Sequence, residues 1–215
     1  DWIRARHMEV SQAVQGDPVP EEIGRRVLSE LCGQVGAVAG AFFVARAGGF
    51  RRAANFGLSD EGRDWFAAGE GLVGRAAQGN APLQIKEVPA DFVKLQSGSG
   101  ERLPSELVLV PACVEGGATA VLEFAFFAKV EERALELLSR VGETIAVALR
   151  SVEQKMRLAD LLEEAQRQGE ELQTQQEELR VANEELTQQA EVLRSAYAQL
   201  EQGKEELETT TNTLA

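Results

Sequence analysis

The chain has 215 residues, 44% of them hydrophobic and 27% charged, with a formal net charge of −13. That length holds one globular core plus an extension, and an acidic chain without a basic stripe is not built to grip nucleic acid. No apolar run approaches the roughly 18 residues of a membrane span, and no secretory signal pattern is read at the start, so a cytoplasmic location without membrane contact is expected.

Residues 1–16 read as an N-terminal linker helix, with Ile3, Val10, Ala13 and Val14 on one face and Asp17, Pro18 and Pro20 ending it. A second helix is expected from Pro20 to Val35. Proline suits a first helical turn, and Glu21 and Glu22 sit near the positive end of the helix dipole. Its buried stripe is Ile23, Val27, Leu28, Leu31 and Val35, and Gly36 closes it.

The period then changes to two. Residues 39–46 read as a buried strand, Gly48 and Gly49 as a turn, and 50–56 as the return strand of a hairpin. Residues 59–67 look like a short helical connection capped by Ser59 or Asp60. The run Gly69-Glu70-Gly71-Leu72-Val73-Gly74-Arg75-Ala76-Ala77 gives a tight turn into a short helix ending at Gly79 and Asn80. Pro82 to Ile85 is a strand. Residues 90–106 look irregular, with Ser97-Gly98-Ser99-Gly100 the most flexible part. Glu106 to Glu115 and Ala118 to Phe127 form a last hairpin about Gly116 and Gly117.

From about Val130 the chain reads as helix to its end. Leu135, Leu138, Gly142, Ile145, Leu149, Val152, Met156 and Ala159 alternate by three and four. Leucines then recur at 158, 172, 179, 186, 193, 200, 207 and 214, in steps of seven or fourteen, with Ala165 in the one gap. A strict heptad repeat of apolar residues is the mark of a coiled coil, whose seam one helix cannot bury alone. A parallel homodimer is therefore expected, with a seam of Leu158, Leu162, Leu172, Leu179, Asn183, Leu186, Leu193, Leu200 and Leu207. Here the leucines are d, and the a positions include Leu162, Gln176 and Asn183. In the other register the leucines are a, and d falls on Leu161, Gln168, Gln175, Ala182 and Gln189. The heptad breaks between Met156 and Leu162, so the coil must over- or under-wind there. Residues 151–215 carry a net charge of −9 and residues 1–150 carry −4. The acid thus belongs mainly to the solvated faces of the long helix.

Residues Gly69 to Ala77, Pro82 to Pro89 and Leu107-Val108-Leu109-Val110-Pro111 with its hairpin carry a resemblance to the GAF domain family over roughly 20–150. The fold implied is α+β: an antiparallel sheet of five or six strands with flanking helices, here followed by a long C-terminal coiled-coil helix. Domain limits are expected at 1–16, 17–150 and 151–215. The segment Gln175 to Leu186 resembles the helical linker that follows GAF domains in bacterial sensor histidine kinases, often hybrid ones. Neither a phosphorylatable helix nor a nucleotide box is found, so the chain reads as an excised sensor and transmission fragment without catalytic activity of its own.

GAF domains often bind small molecules, and several classes lack their residues here. No spaced cyclic-nucleotide motif is found. His7, the only histidine, lies outside the domain, and Cys32 and Cys113 read as reduced core residues. Nothing in the sequence points to haem, bilin or metal. What remains is an apolar pocket between the sheet and residues 69–107, with candidates Phe42, Val44, Leu72, Val73, Leu83, Ile85, Leu107 and Leu109 for an unidentified small molecule. The expected function is signal transmission from this domain through the coil to a kinase core. The alternative is a ligand-free dimerisation and spacer element.

Overall fold

The computed structural model describes residues 1–16, 19–59, 63–79, 81–89, 95–97, 100–115 and 117–213; of 96, 97 and 206–213 it describes the backbone alone. Two compact units divide the chain, Asp1–Met156 and Arg157–Ala215.

In the first unit, helices α1 (Trp2–Ala13) and α2 (Pro20–Val35) precede strands β1 (Ala39–Arg46), β2 (Gly49–Phe56) and β3 (Trp65–Ala67). Helix α3 (Gly71–Gln78) follows, then β4 (Leu83–Lys86), β5 (Leu95–Ser97), β6 (Gly100–Arg102), β7 (Glu106–Val114) and β8 (Gly117–Phe126). Helix α4 covers Glu132–Thr213, 82 residues.

Helix α2 forms where the sequence signals it. Pro20 occupies its first turn with Glu21 and Glu22, and Gly36 ends it in the left-handed conformation at φ 74°. Gly24 brings it onto the sheet. A Cβ at Gly24 would stand 2.6 Å from the Phe42 ring, so only glycine allows this closeness of α2 to β1.

One six-stranded sheet runs in the order β3-β2-β1-β8-β7-β4, and all its pairs are antiparallel. The hairpins β1–β2 and β7–β8 are joined by β1 pairing with β8, which closes the early and late halves of the domain on one another. Side chains alternate between the two faces of a strand. Phe42, Val110, Leu122 and Phe124 point to the face that packs with Leu28 and Leu31 of α2 and Leu138 and Ile145 of α4. This is the main core. Gly142 of α4 lies against β7, where a Cβ would meet the Pro111 carbonyl oxygen at 2.9 Å. Ala41, Phe43, Leu109 and Val121 point to the other face, beneath Val73 and Ala76 of α3.

Two stretches differ from the sequence reading. Residues 65–67 are a strand, not part of a helical connection: Trp65–Ala67 pairs with Gly49–Arg51 and adds an edge to the sheet. The expected Asp60 cap lies outside the described residues. Within 90–106, β5 and β6 form a separate two-stranded hairpin, Leu95 opposite Arg102. Residues 98 and 99 lie outside the described residues.

In the second unit the helix carries its leucines on the surface. Leu158, Leu172, Leu179, Leu186, Leu193 and Leu200 are each 59–70% exposed, and so is Leu162 at 62%. Asn183 is exposed as well. The side chain of Leu207 and residue Leu214 lie outside the described residues. Arg180 bridges Glu177 at 2.7 Å and also pairs with Glu184, one turn to either side.

Candidate functional site

The Gly69 to Ala77 motif fixes α3 against the sheet. Gly69 adopts φ 79°. The Glu70 carboxylate accepts the Ala67 backbone N–H at 2.9 Å and an Arg63 N–H at 2.6 Å. These bonds, the backbone one first, hold its pKa below the usual carboxylate range. Gly74 sits so close to Gly69 that a Cβ would lie 2.7 Å from that backbone. Phe66 meets Phe43 edge to face with ring centroids 5.5 Å apart, and the Arg63 guanidinium lies 4.8 Å above the Phe66 ring. The outcome is a short helix whose Val73 and Ala76 are pressed onto the sheet.

Of the eight pocket candidates, Leu72, Val73, Leu83 and Leu109 gather in this layer. Leu107 and Ile85 belong to a second apolar group on the same face, with Ala39, Leu95 and Ala125. Phe42 and Val44 do not line this face. They point into the main core with α2 and α4. Residues 39–44 of β1 are all buried, so their hydrophobicity does not alternate and cannot reveal its phase. A phase error of one residue reverses the face. The β1 residues under α3 are Ala41 and Phe43.

The register exposes a polar pair that sequence reasoning missed. Asn55 of β2 stands opposite Ala41, Ala41 opposite Glu123 of β8, Glu123 opposite Leu109, and Leu109 opposite Leu83. The five form one row across the α3 face. Glu123 is at its centre, flanked by the smallest side chain in the row. Its surroundings dehydrate it and push its pKa up to about 7. Yet the residue is only half-buried. Its apolar neighbours thus dehydrate a carboxyl whose residue keeps part of its surface exposed. The signal in the sequence is a lone acid in the run Val121-Leu122-Glu123-Phe124-Ala125-Phe126.

Several charged groups of the described neighbouring elements have partners of their own. Arg52 reaches the Ser59 carbonyl at 3.5 Å, Arg63 is held by Glu70, and Arg102 lies 4.6 Å over the Phe127 ring. Arg75 and Lys86 are exposed. Among the described residues no group of three His, Cys, Asp or Glu is placed to hold a metal ion.

Cys32 is buried in the main core, where desolvation pushes its thiol up to about 12. Cys113 is half-buried with its thiol 3.9 Å from the Gly79 carbonyl oxygen. His7 of α1 hydrogen-bonds Thr144 of α4 through Nε2 at 2.8 Å. A polar groove of about 370 Å³ lies at the other face, lined in part by Trp2, Gln34, Phe126 and Arg133. Among the described residues no helix is long and apolar enough to cross a membrane.

Known structures share this architecture. The GAF domain of a phosphoenolpyruvate-protein phosphotransferase from Coxiella burnetii is 18% identical, with a TM-score of 0.61 over 72% of this chain and 96% of that one. A free methionine-R-sulfoxide reductase from Neisseria meningitidis, solved with its substrate, is 15% identical with a TM-score of 0.58, over 71% and 91%. The GAF domain of a protein described as a sensor histidine kinase from Pseudomonas syringae pv. tomato is 15% identical with a TM-score of 0.52, over 74% and 90%. At such identities the likeness concerns the fold. No curated protein matches the sequence. The GAF domain pattern itself matches residues 19–150, more than half of the chain. With the six-stranded sheet, the two hairpins and the glycine-anchored α3, this places the chain in the GAF domain family, a family of signalling and sensor domains.

Proposed function

We propose that this chain is the sensory and transmission part of a bacterial, cytoplasmic sensor histidine kinase, working as a parallel homodimer. The α3 face of the GAF sheet takes a small molecule, and α4 carries the resulting change toward a kinase core outside this chain. The chain itself performs no catalysis. The fold supports the sensory half of this reading, and the likeness to a GAF domain described as belonging to a sensor histidine kinase supports the context.

One observation carries the transmission half. Six leucines in heptad register are 59–70% exposed along one helix. Burying a leucine side chain yields about 1.5–3 kcal/mol, and a second copy in register covers all of them at once. Leucine at d with Asn183 at a selects the parallel two-stranded form, because a buried Asn pairs best with its symmetry mate. Transmission follows if the ligand favours one helix arrangement over another.

The test is deletion in the full-length protein. Removing residues 173–179 keeps the heptad phase, and removing 173–176 breaks it. A phase-sensitive relay keeps regulated output after the first deletion and loses it after the second. A spacer tolerates both. Sedimentation of the present chain gives a dimer under either reading, and a monomer contradicts both.

A further inference from the structure

The groove of about 370 Å³ lies within the first unit, beside the main core and away from α3. Three elements make its walls: residues 33–36 at the end of α2, Trp2 of α1, and the first turn of α4 with the loop before it. Its apolar lining includes Phe126 and Ala134, both part of the main core. The α2 wall is bare backbone at Gly33 and Gly36, where an added Cβ would meet nothing within 4 Å. Pockets for small molecules run from about 300 to 1,000 Å³, so this one suits a compact ligand.

Among the described lining residues the charges are Lys129, Glu131 and Arg133. Arg133 pairs through Nε with Glu131 at 2.5 Å, and its guanidinium lies 5.2 Å over the Trp2 ring. A guanidinium held in this way has further N–H donors, beyond Nε, to offer a second acceptor. Because Glu131 and Arg133 offset one another, Lys129 sets the sign of the lining: one positive charge in excess, in a chain of formal net charge −13. The helix ends add a direction. Helix α4 presents its N-terminal end, which favours negative charge, and α2 its C-terminal end, which disfavours it. An anionic group is drawn to the α4 side, and a neutral apolar body fits the rest. One charge in excess, with Glu131 on the rim, matches a carboxylate better than a phosphate carrying nearly two.

We propose that this groove binds a small aromatic carboxylate, its carboxylate meeting Arg133 and Lys129 and its ring lying against Trp2 and Phe126. A charge-assisted bond from N⁺–H to carboxylate is about twice as strong as a neutral one, so the charge dominates the selectivity. The site is separate from the α3 face and does not rest on the reading of that face as sensory. A ligand here touches α1, α2 and α4 together, at the root of the long helix. Its arrival therefore bears on the same helix that the proposed relay uses.

Calorimetric titration of sodium benzoate, phenylacetate and phenylpropionate, with the matching amides as neutral controls, tests this on the chain. At least one carboxylate is expected to bind about tenfold more tightly than its amide. Arg133→Gln and Lys129→Gln, both at exposed positions, are each expected to lose about tenfold of that affinity while keeping the wild-type circular dichroism. Gly33→Leu, which adds a side chain at the open wall of α2, should weaken carboxylate and amide alike. In a Trp65→Phe background Trp2 is the sole tryptophan, and its fluorescence should change on titration. Amides that match the carboxylates, or charge variants that bind as tightly as the wild type, refute the carboxylate assignment. Binding that survives Gly33→Leu and leaves Trp2 silent lies outside the groove and overturns the site. If nothing in either series binds, the proposal falls whole.

Discussion

Glu106 of β7 accepts a hydrogen bond from the backbone N–H of Val130, 3.2 Å away, just before α4 begins. The same oxygen accepts from Gln84 of β4 at 2.8 Å. One buried carboxylate thus ties the sheet edge, a central hairpin and the approach to the long helix. Truncation leaves a buried N–H without a partner, which costs about 1–3 kcal/mol. Glu106→Ala should lower thermal stability accordingly. Glu106→Gln, which keeps an oxygen in place, should cost less. Paired melting curves decide this, and equal losses would show that the oxygen is not the link.

The glycines of the α3 anchor make a second prediction. A methyl at Gly74 would press on the Gly69 backbone at 2.7 Å and on the Ala67 carbonyl oxygen at 2.9 Å. Backbone cannot step aside cheaply, so Gly74→Ala should destabilise by about 1–3 kcal/mol. Gly33 is the control. It lies inside α2 with nothing within 4 Å of its would-be Cβ. Gly33→Ala should stabilise by about 0.5–1 kcal/mol through helix propensity. Chemical denaturation of both variants should give opposite signs.

Glu123 makes stability depend on pH in a direction opposite to most carboxylates. Its pKa is raised from 4.5 to about 7 by desolvation, so the folded state holds this proton more tightly than the unfolded chain. The folded state is then favoured by this group below about pH 4.5. The advantage drains away as the pH rises toward 7 and is gone above it. The size is about 1–3 kcal/mol, from 1.36 kcal/mol per unit discounted for the half-exposed position. Glu123→Gln should equal the wild type near pH 4 and exceed it at pH 8. Parallel stability curves across that range would show that Glu123 is not dehydrated.

The sequence disclosed what local chemistry determines. Pro20 and Gly36 bracket α2, and the glycine turns bracket both hairpins. It did not disclose what pairing determines. Trp65–Ala67 is a strand only because Gly49–Arg51 lies beside it. Three residues carry too little pattern to be read alone. Six consecutive buried residues in β1 concealed which of Phe42 and Phe43 faces α3. Glu123 was visible as a lone acid in an apolar run. Its place beside Ala41 and Leu109 needed the register of three strands.

Asn183 distinguishes the two heptad registers of the long helix. With the leucines at d, Asn183 is an a residue in the seam. Its replacement by leucine removes the polar group that specifies two strands, and leucine at a loosens the preference for dimers. Asn183→Leu should then tighten association and admit trimers or tetramers in sedimentation equilibrium. With the leucines at a, Asn183 moves to a flanking e position and Ala182 becomes the d residue. Asn183→Leu would then leave the dimer largely unchanged, and Ala182→Leu would be the variant that tightens it. Both side chains are exposed in the single chain, so neither substitution disturbs the fold of one copy. A change in assembly therefore reports the seam directly. Because only one of the two positions can face the partner in a regular coil, the pair of variants fixes the register by which of them responds.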